Sequence, residues 1–294
     1  MGQTKIACVQ MHVEIGCVES NRLRIIDRIK YAAETASAEL LVVFPECALT
    51  GYCFDSLEEA AQFAEPLDGP SSLAFAEECS QTGTYVVVGF IEKDGSKYYN
   101  SAMLVGPEGL IGGYRKVHLP FLGVDRFLAP GDRPFEVFDV PIGRIGINIC
   151  YDASFPEAAR TLKLLGAQLI VLPTNWPPDA WRTAEFTINA RAQENHVNFA
   201  AVNRVGLERG WNFIGRSKVV DFNGDTIAEA SSEGKENLPG WREGEKILFA
   251  DLDLEKADEN KIVNVAGSYE IDRLADRRPE FYGPITASAK SAQA

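Results

Sequence analysis

"AELLVVFPE" at residues 38–46 and "AQLIVLPTN" at 167–175 are two versions of one phrase. Each is a short run of leucine, valine and isoleucine that ends at a proline and then a polar residue, which reads as a buried strand with something to present at its end. The surroundings repeat as well. Before the first copy lie a strand, "KIACVQM" (5–11), and an amphipathic helix, "NRLRIIDRIKYAAETASA" (21–38), with Ile25, Ile26 and Ile29 on one face. After it come the helix "SSLAFAEECSQTG" (71–83), closed by Gly83, and the strand "TYVVVGFIEK" (84–93). "KDGSKYYN" (93–100) then leads into a hairpin, "SAMLVGPEGLIGGYRKV" (101–117), turning at Pro107–Gly109.

The second copy is followed in the same order. A helix through "TAEFTINARAQEN" (183–195) leads to the strand "VNFAAVNRVG" (197–206) and the hairpin "RSKVVDFNGDTIAEA" (216–230), which turns at Asn223–Gly224. Matched pieces lie about 115 to 130 residues apart. Two similar α/β halves, each a sheet with helices on one side, bury their bare faces against each other. The expected fold is a four-layer α-β-β-α sandwich with an internal pseudo-twofold repeat. No Pro/Gly/Ser-rich linker divides the halves, so residues 1–284 are expected to form one domain, with 285–294 a disordered tail.

Composition narrows the function classes. The chain has 294 residues, 46% of them hydrophobic, enough for a substantial core. Its net charge of −13 argues against a nucleic-acid or anionic-membrane surface. No signal peptide and no apolar run near ~20 residues is present, so a cytoplasmic location is expected. The six cysteines form no CxxC pair, and His12, His118 and His196 lie far apart. Neither a metal site nor a disulfide framework is expected.

One cysteine stands out. In "RIGINIC" (144–150), Ile145, Ile147 and Ile149 alternate with Gly146, Asn148 and Cys150, so the cysteine faces away from the isoleucines. "SFPEAARTLKLLGA" (154–167) then reads as a helix, with Ser154 and Glu157 as a capping box, Pro156 in the first turn and Gly166 at the close. A cysteine just before a helix N-terminus is expected to favour thiolate, the nucleophilic form. Each histidine reads better as structural than as its base. Glu46 closes an apolar run, an awkward place for a carboxylate unless it is functional or paired, and Lys116 ends a hairpin strand.

Together, "FPECALTGY" (44–52), "YRKVHLP" (114–120) and "CYDASFPEAAR" (150–160) resemble the nitrilase superfamily of carbon–nitrogen hydrolases, in the family's order and with its typical spacings. "LPTNWP", "NRVG", "NGD" and "YEIDRLADRRPEFYGPI" extend the resemblance over nearly the whole chain. It implies the same sandwich and a Glu46–Lys116–Cys150 triad. Glu46 would be the general base, Cys150 the nucleophile that carries the acyl group as a thioester, and Lys116 with the Tyr151 backbone N–H the oxyanion hole. No cofactor is implied. Tyr52, Asn175 and Trp176 are candidate substrate contacts.

Many members carry a second glutamate eight residues before the Asp of "PGD" (130–132); here that position is Val124, followed by Asp125. Asp125 either takes the role after a small backbone shift or is a loop aspartate that caps or pairs with Arg126. Tyr151–Asp152 stands where the nitrile-hydrolysing branch typically has Trp-Glu, so the chain looks more like the amidase and carbamoylase branches. The expected substrate is a small aliphatic amide or N-carbamoyl compound, with Arg182 and Arg204 as candidates for a substrate carboxylate. Nitrile hydrolysis, a catalytically silent interaction scaffold and a thiol redox sensor are the alternatives. The resemblance also implies a homodimer or multiples of one, with "DRRPEFYGPI" (276–285) reaching across to the neighbour.

Overall fold

The computed structural model describes residues 4–36, 39–231, 233–234 and 240–287. The first half runs β1 (Thr4–Gln10), α1 (Val18–Ala36), β2 (Leu40–Val43), α2 (Leu57–Ala61), α3 (Pro70–Thr82), β3 (Tyr85–Asp94), β4 (Lys97–Gly106) and β5 (Gly109–Arg115). The second half runs β6 (Val137–Val140), β7 (Gly143–Ile147), α4 (Pro156–Leu164), β8 (Leu169–Thr174), α5 (Ile188–Asn195) and β9 (Asn198–Asn203). A small hairpin follows, β10 (Val205–Glu208) and β11 (Trp211–Ile214), and then β12 (Lys218–Val220), β13 (Thr226–Glu229) and β14 (Lys246–Leu252).

Two six-stranded sheets result, in the orders β14-β1-β2-β3-β4-β5 and β6-β7-β8-β9-β12-β13. In each, three central parallel strands are flanked by one antiparallel strand on one side and an antiparallel hairpin on the other. The repeat read from the two opening phrases is therefore a repeat of sheet topology.

Strand alternation sorts the side chains into layers. Leu41 and Val43 of β2 join Leu169 and Val171 of β8 in the core between the sheets, together with Ile145, Ile147 and Ile149. Their neighbours Leu40 and Val42 turn outward to Ile25 and Ile29 of α1, and Ile170 and Leu172 turn to Ile188 and Ala192 of α5. Each such fully buried aliphatic side chain contributes about 1.5–3 kcal/mol relative to exposure. The layers are α-β-β-α. Gly83 closes α3 in the left-handed region, φ 69°.

The chain continues through an exposed hairpin, β15 (Lys261–Val265) and β16 (Tyr269–Asp272), and a short helix, α6 (Gly283–Thr286). Of the expected tail, residues 285–287 are described, Ile285 and Thr286 being helical, and 288–294 lie outside the described residues. Arg160 of α4 donates to the Arg273 carbonyl at 3.4 Å, so this extension runs beside α4. No described helix is long and apolar enough to cross a membrane.

One local expectation is corrected. Cys150–Ser154 form a 3-10 turn, and Phe155, not Ser154, is the N-cap of α4, with no side-chain cap. The cause is Asp152: its carboxylate accepts from the Ile149 N–H, the Tyr114 hydroxyl and His118, and so winds the segment early.

Candidate active site

Glu46 follows β2, Lys116 follows β5, Cys150 lies just beyond β7 and Asn175 follows β8. The parallel arrangement puts these strand ends together, where α/β sheets present their ligands. β3 must pass very close to the turn carrying Glu46. A Cβ on Gly89 would stand 2.5 Å from the Pro45 carbonyl and 2.7 Å from the Glu46 Cα, so only glycine fits there.

Glu46, Lys116 and Asp125 are all buried and form one charge cluster. Lys116 Nζ donates to Glu46 Oε1 at 2.7 Å and to Asp125 Oδ2 at 2.5 Å. Asn100, near the start of β4, donates through its single Nδ2 to both carboxylates, at 2.7 Å to Glu46 Oε1 and 2.8 Å to Asp125 Oδ1. The Tyr52 hydroxyl adds a bond to Asp125 Oδ2 at 2.9 Å. The arithmetic of donors leaves two useful remainders. An ammonium has three N–H groups and Lys116 uses two of them on the carboxylates. Glu46 Oε2 is buried and has no hydrogen-bond partner among the described residues.

Asp125 is thus in the cluster rather than on the loop surface. Val124 packs with Tyr52, Phe54 and Phe213, and the 3-10 turn Gly123–Arg126 brings the next residue inward. Arg126 does not pair with it; its guanidinium donates to the Gly123 and Phe54 carbonyls. Gly123 has φ +49°, and a Cβ there would fall 2.1 Å from the Tyr52 ring, so this glycine lets Tyr52 reach Asp125.

Burial sets the protonation states. It raises Glu46 above the ordinary carboxylate value; the Asp125 carboxylate adds to the rise, while Lys116 opposes it. Burial works to lower Lys116, but the carboxylates of Asp125 and Glu46 outweigh it and hold the amine protonated, well above its usual value. Cys150 is half-buried, and burial together with the Glu46 carboxylate pushes its thiol up to about 12, against Lys116, the Thr174 hydroxyl and the Asn175 backbone. The expected thiolate is therefore corrected. The helix end is a weaker influence than lost solvation and a neighbouring carboxylate, and Cys150 rests as a thiol. Its backbone sits in the left-handed region, φ 44°, a strained conformation of the kind found where a reactive side chain is held out from a strand end.

The elbow and the Lys116 loop are fastened together. His118 Nδ1 lies 2.7 Å from Asp152 Oδ1, and its ring stacks on Phe155 at 3.7 Å. Tyr151 follows Cys150 with its ring outward against Phe155. Asn175 is buried with neither side-chain atom paired among the described residues, and it lines a narrow pocket with Tyr52, Leu122, Trp211 and Phe213. Trp176, by contrast, is buried in the cluster that holds Ala153 and Ile188. Arg204 is not free to hold a carboxylate either. It is fully buried, 2.7 Å from Glu208. Arg182 lies exposed against the Trp181 ring. Asn100 is the residue the sequence did not single out; inside a strand-like "KYYNSAMLV" it carries no local signal.

Comparison with known proteins identifies the family. The carbon-nitrogen hydrolase family model matches residues 5–261. A protein named nitrilase from Pyrococcus abyssi is 37% identical over 279 residues, covering 95% of this chain and 98% of its own. An (R)-stereoselective amidase from a Pseudomonas species is 36% identical over 285 residues, covering 96% and 94%. Among solved structures, Saccharomyces cerevisiae Nit3, a nitrilase-superfamily member, superposes with a TM-score of 0.76 at 26% identity, covering 88% of this chain and 93% of its own. The chain belongs to the carbon–nitrogen hydrolase family, within the nitrilase superfamily.

Proposed function

We propose that the protein is an amidase that hydrolyses a small, non-peptide amide through a thioester on Cys150. The observation that carries this reading is the unpartnered Glu46 Oε2, a buried carboxylate oxygen of raised basicity beside a cysteine that rests as a thiol. Such a thiol attacks only if its proton leaves as the bond forms, and Glu46 is the group that takes it. The sulfur adds to the carbonyl carbon, and the developing oxyanion meets the remaining Lys116 N–H and the Tyr151 backbone N–H. The C–N bond then breaks, the Glu46 proton goes to the departing nitrogen, and ammonia or an amine leaves. Glu46 next takes a proton from water, which attacks the thioester; acid is released and the thiol re-forms. Asn175, with both side-chain atoms unpaired, supplies hydrogen bonds to the substrate amide. Asn100 and Asp125 hold the base and the ammonium in register.

A nitrile is the second reading, favoured by the name of the Pyrococcus relative; Tyr151–Asp152 in place of Trp-Glu weighs against it. Ammonia release from amides, N-carbamoyl amino acids and nitriles separates the classes. Neutral amides are expected to give the highest kcat/KM, and a preference for nitriles would reverse the order of the two readings.

The pH profile is a second check. Activity needs Glu46 ionised, and its value is raised, so activity is lost as pH falls through a point above the ordinary carboxylate range. Asp125 contributes to that rise. Asp125→Asn is therefore expected to move the acid limb to lower pH while lowering kcat about 10- to 100-fold, the scale of a misplaced catalytic group. An acid limb at the ordinary carboxylate value, unmoved by Asp125→Asn, would remove Glu46 from the role of base.

A further inference from the structure

We infer that Thr174 is a further catalytic residue: its hydroxyl donates a hydrogen bond to the Cys150 sulfur when that sulfur carries charge, as it attacks and again as it leaves. The inference rests on the reading of Cys150 as the nucleophile and names a group that receives its charge.

Strand register brings the two side chains together. β7 and β8 run parallel with Ile147 paired to Val171, and the Asn148 N–H continues the ladder to the Val171 carbonyl at 3.0 Å. Three residues on, Cys150 stands level with Thr174, the last residue of β8. Residues level with each other across a sheet share a face. Here it is the helix side, where Ile170 and Leu172 also point and against which Cys150 packs. Thr174 is fully buried, and its hydroxyl has no hydrogen-bond partner of ordinary geometry among the described residues. Across from it on β9 stands Asn203, whose amide is already occupied: it accepts from the Trp176 N–H at 2.8 Å and donates to the Gly215 carbonyl at 2.6 Å.

A buried hydroxyl left without a partner is destabilising, and the sulfur gives this one a use. The Thr174 hydroxyl and the Asn175 backbone both act on the thiol in the direction of the thiolate, against burial and the Glu46 carboxylate. A neutral thiol is a weak acceptor, so the contact is loose at rest. Charge on the sulfur draws it in, because hydrogen bonds to an ion are shorter and about twice as strong. Lys116, the ammonium that acts on the same sulfur, is shared between Glu46 and Asp125, which leaves neutral donors at the end of β8 to meet the charge. When Glu46 takes the thiol proton and the S–C bond forms, charge passes from sulfur to the carbonyl oxygen. When the thioester breaks, the S–C electron pair returns to sulfur. Thr174 donates at both moments and gives up no proton.

Two substitutions separate chemistry from packing. Thr174→Val keeps the shape and removes the hydroxyl; Thr174→Ser keeps the hydroxyl and removes a methyl. Thr174→Val is expected to lower kcat and kcat/KM together by about 10-fold or more, the scale of one lost hydrogen bond to a charged group, with a urea midpoint no lower than the parent's. Thr174→Ser is expected to stay within about threefold of the parent, the residual loss reflecting its freer χ1. Alkylation of Cys150 by iodoacetamide at about pH 8 reads the sulfur without turnover: the S–C bond forms as iodide leaves. Thr174→Val should slow it about threefold, because a roughly tenfold smaller thiolate fraction is partly offset by the greater nucleophilicity of a more basic thiolate. Thr174→Ser should react like the parent.

Parent-like turnover or parent-like alkylation in Thr174→Val would overturn the inference, and so would a larger loss in Thr174→Ser than in Thr174→Val, which would assign the residue to packing. The amidase reading fails separately. If alkylation slows in Thr174→Val but the parent releases ammonia from no amide, the contact to sulfur stands and the hydrolysis does not.

Discussion

Lys116→Met is expected to cost about 3–5 kcal/mol of stability and to abolish measurable turnover. The side chain is fully buried between Glu46 and Asp125, both of which are also fully buried as side chains. Methionine fills nearly the same volume, so the loss is electrostatic: two carboxylates are left facing each other out of water. Removing one partner of a buried ion pair typically costs that amount. Activity falls for a second reason, because the loss of one oxyanion donor alone is worth about 10²–10³ in rate. Urea unfolding measures the first effect and ammonia release the second.

A companion variant separates them. Lys116→Met with Asp125→Asn removes one of the stranded charges and should recover part of the stability and none of the activity. Equal stability of the single variant and the parent would mean that Lys116 is not holding the two carboxylates together. The pH dependence has a definite sign. Lys116 is raised in the folded protein above the ordinary lysine value of about 10.5, so its stabilisation is fully present below about pH 10.5 and is lost as pH rises through the folded-state value. The gap between parent and variant should therefore narrow only at strongly alkaline pH.

Cys150→Ala carries the second large effect, on rate alone. A loss on the order of 10⁴-fold or more in kcat/KM is expected, the scale seen when a covalent nucleophile is removed from a site whose other groups remain. Stability should change by less than about 1 kcal/mol, since a small, half-buried side chain is replaced by a slightly smaller one. The two variants thus share the loss of rate and differ in stability, and together they distinguish a nucleophile from a structural ion pair.

Much of the layered fold is legible in sequence because it obeys short periods. The alternation in "LLVV" and "LIVL" sends one face to the inter-sheet core and the other to helices, and Asn223–Gly224 turns the chain between β12 and β13. Glu46 and Lys116 are legible for a different reason: a charge at the end of a buried strand is anomalous unless it has a purpose. What escapes is everything decided between distant segments. Asn100 bridges partners 54 and 25 residues away, and nothing near it in the chain reports that. The capping box at Ser154 is a sound local pattern, overridden by Asp152 and its bonds to Tyr114 and His118 across the fold. Arg204 reads as a free cation because its partner Glu208 lies beyond a strand break. The thiolate expectation weighed a helix end and could not weigh the desolvation that proved larger. The β15–β16 hairpin is mostly exposed and has little apolar pattern to announce it.

The measurement that bears most directly on the proposed chemistry is peptide mapping of the protein quenched in acid during turnover of butyramide, with Cys150→Ala as the control. The account predicts one butyryl group on the peptide carrying Cys150, none on the other five cysteines, and neither adduct nor ammonia from the variant. Ammonia release at an undiminished rate from Cys150→Ala, or an acyl group carried by a different residue, would contradict it.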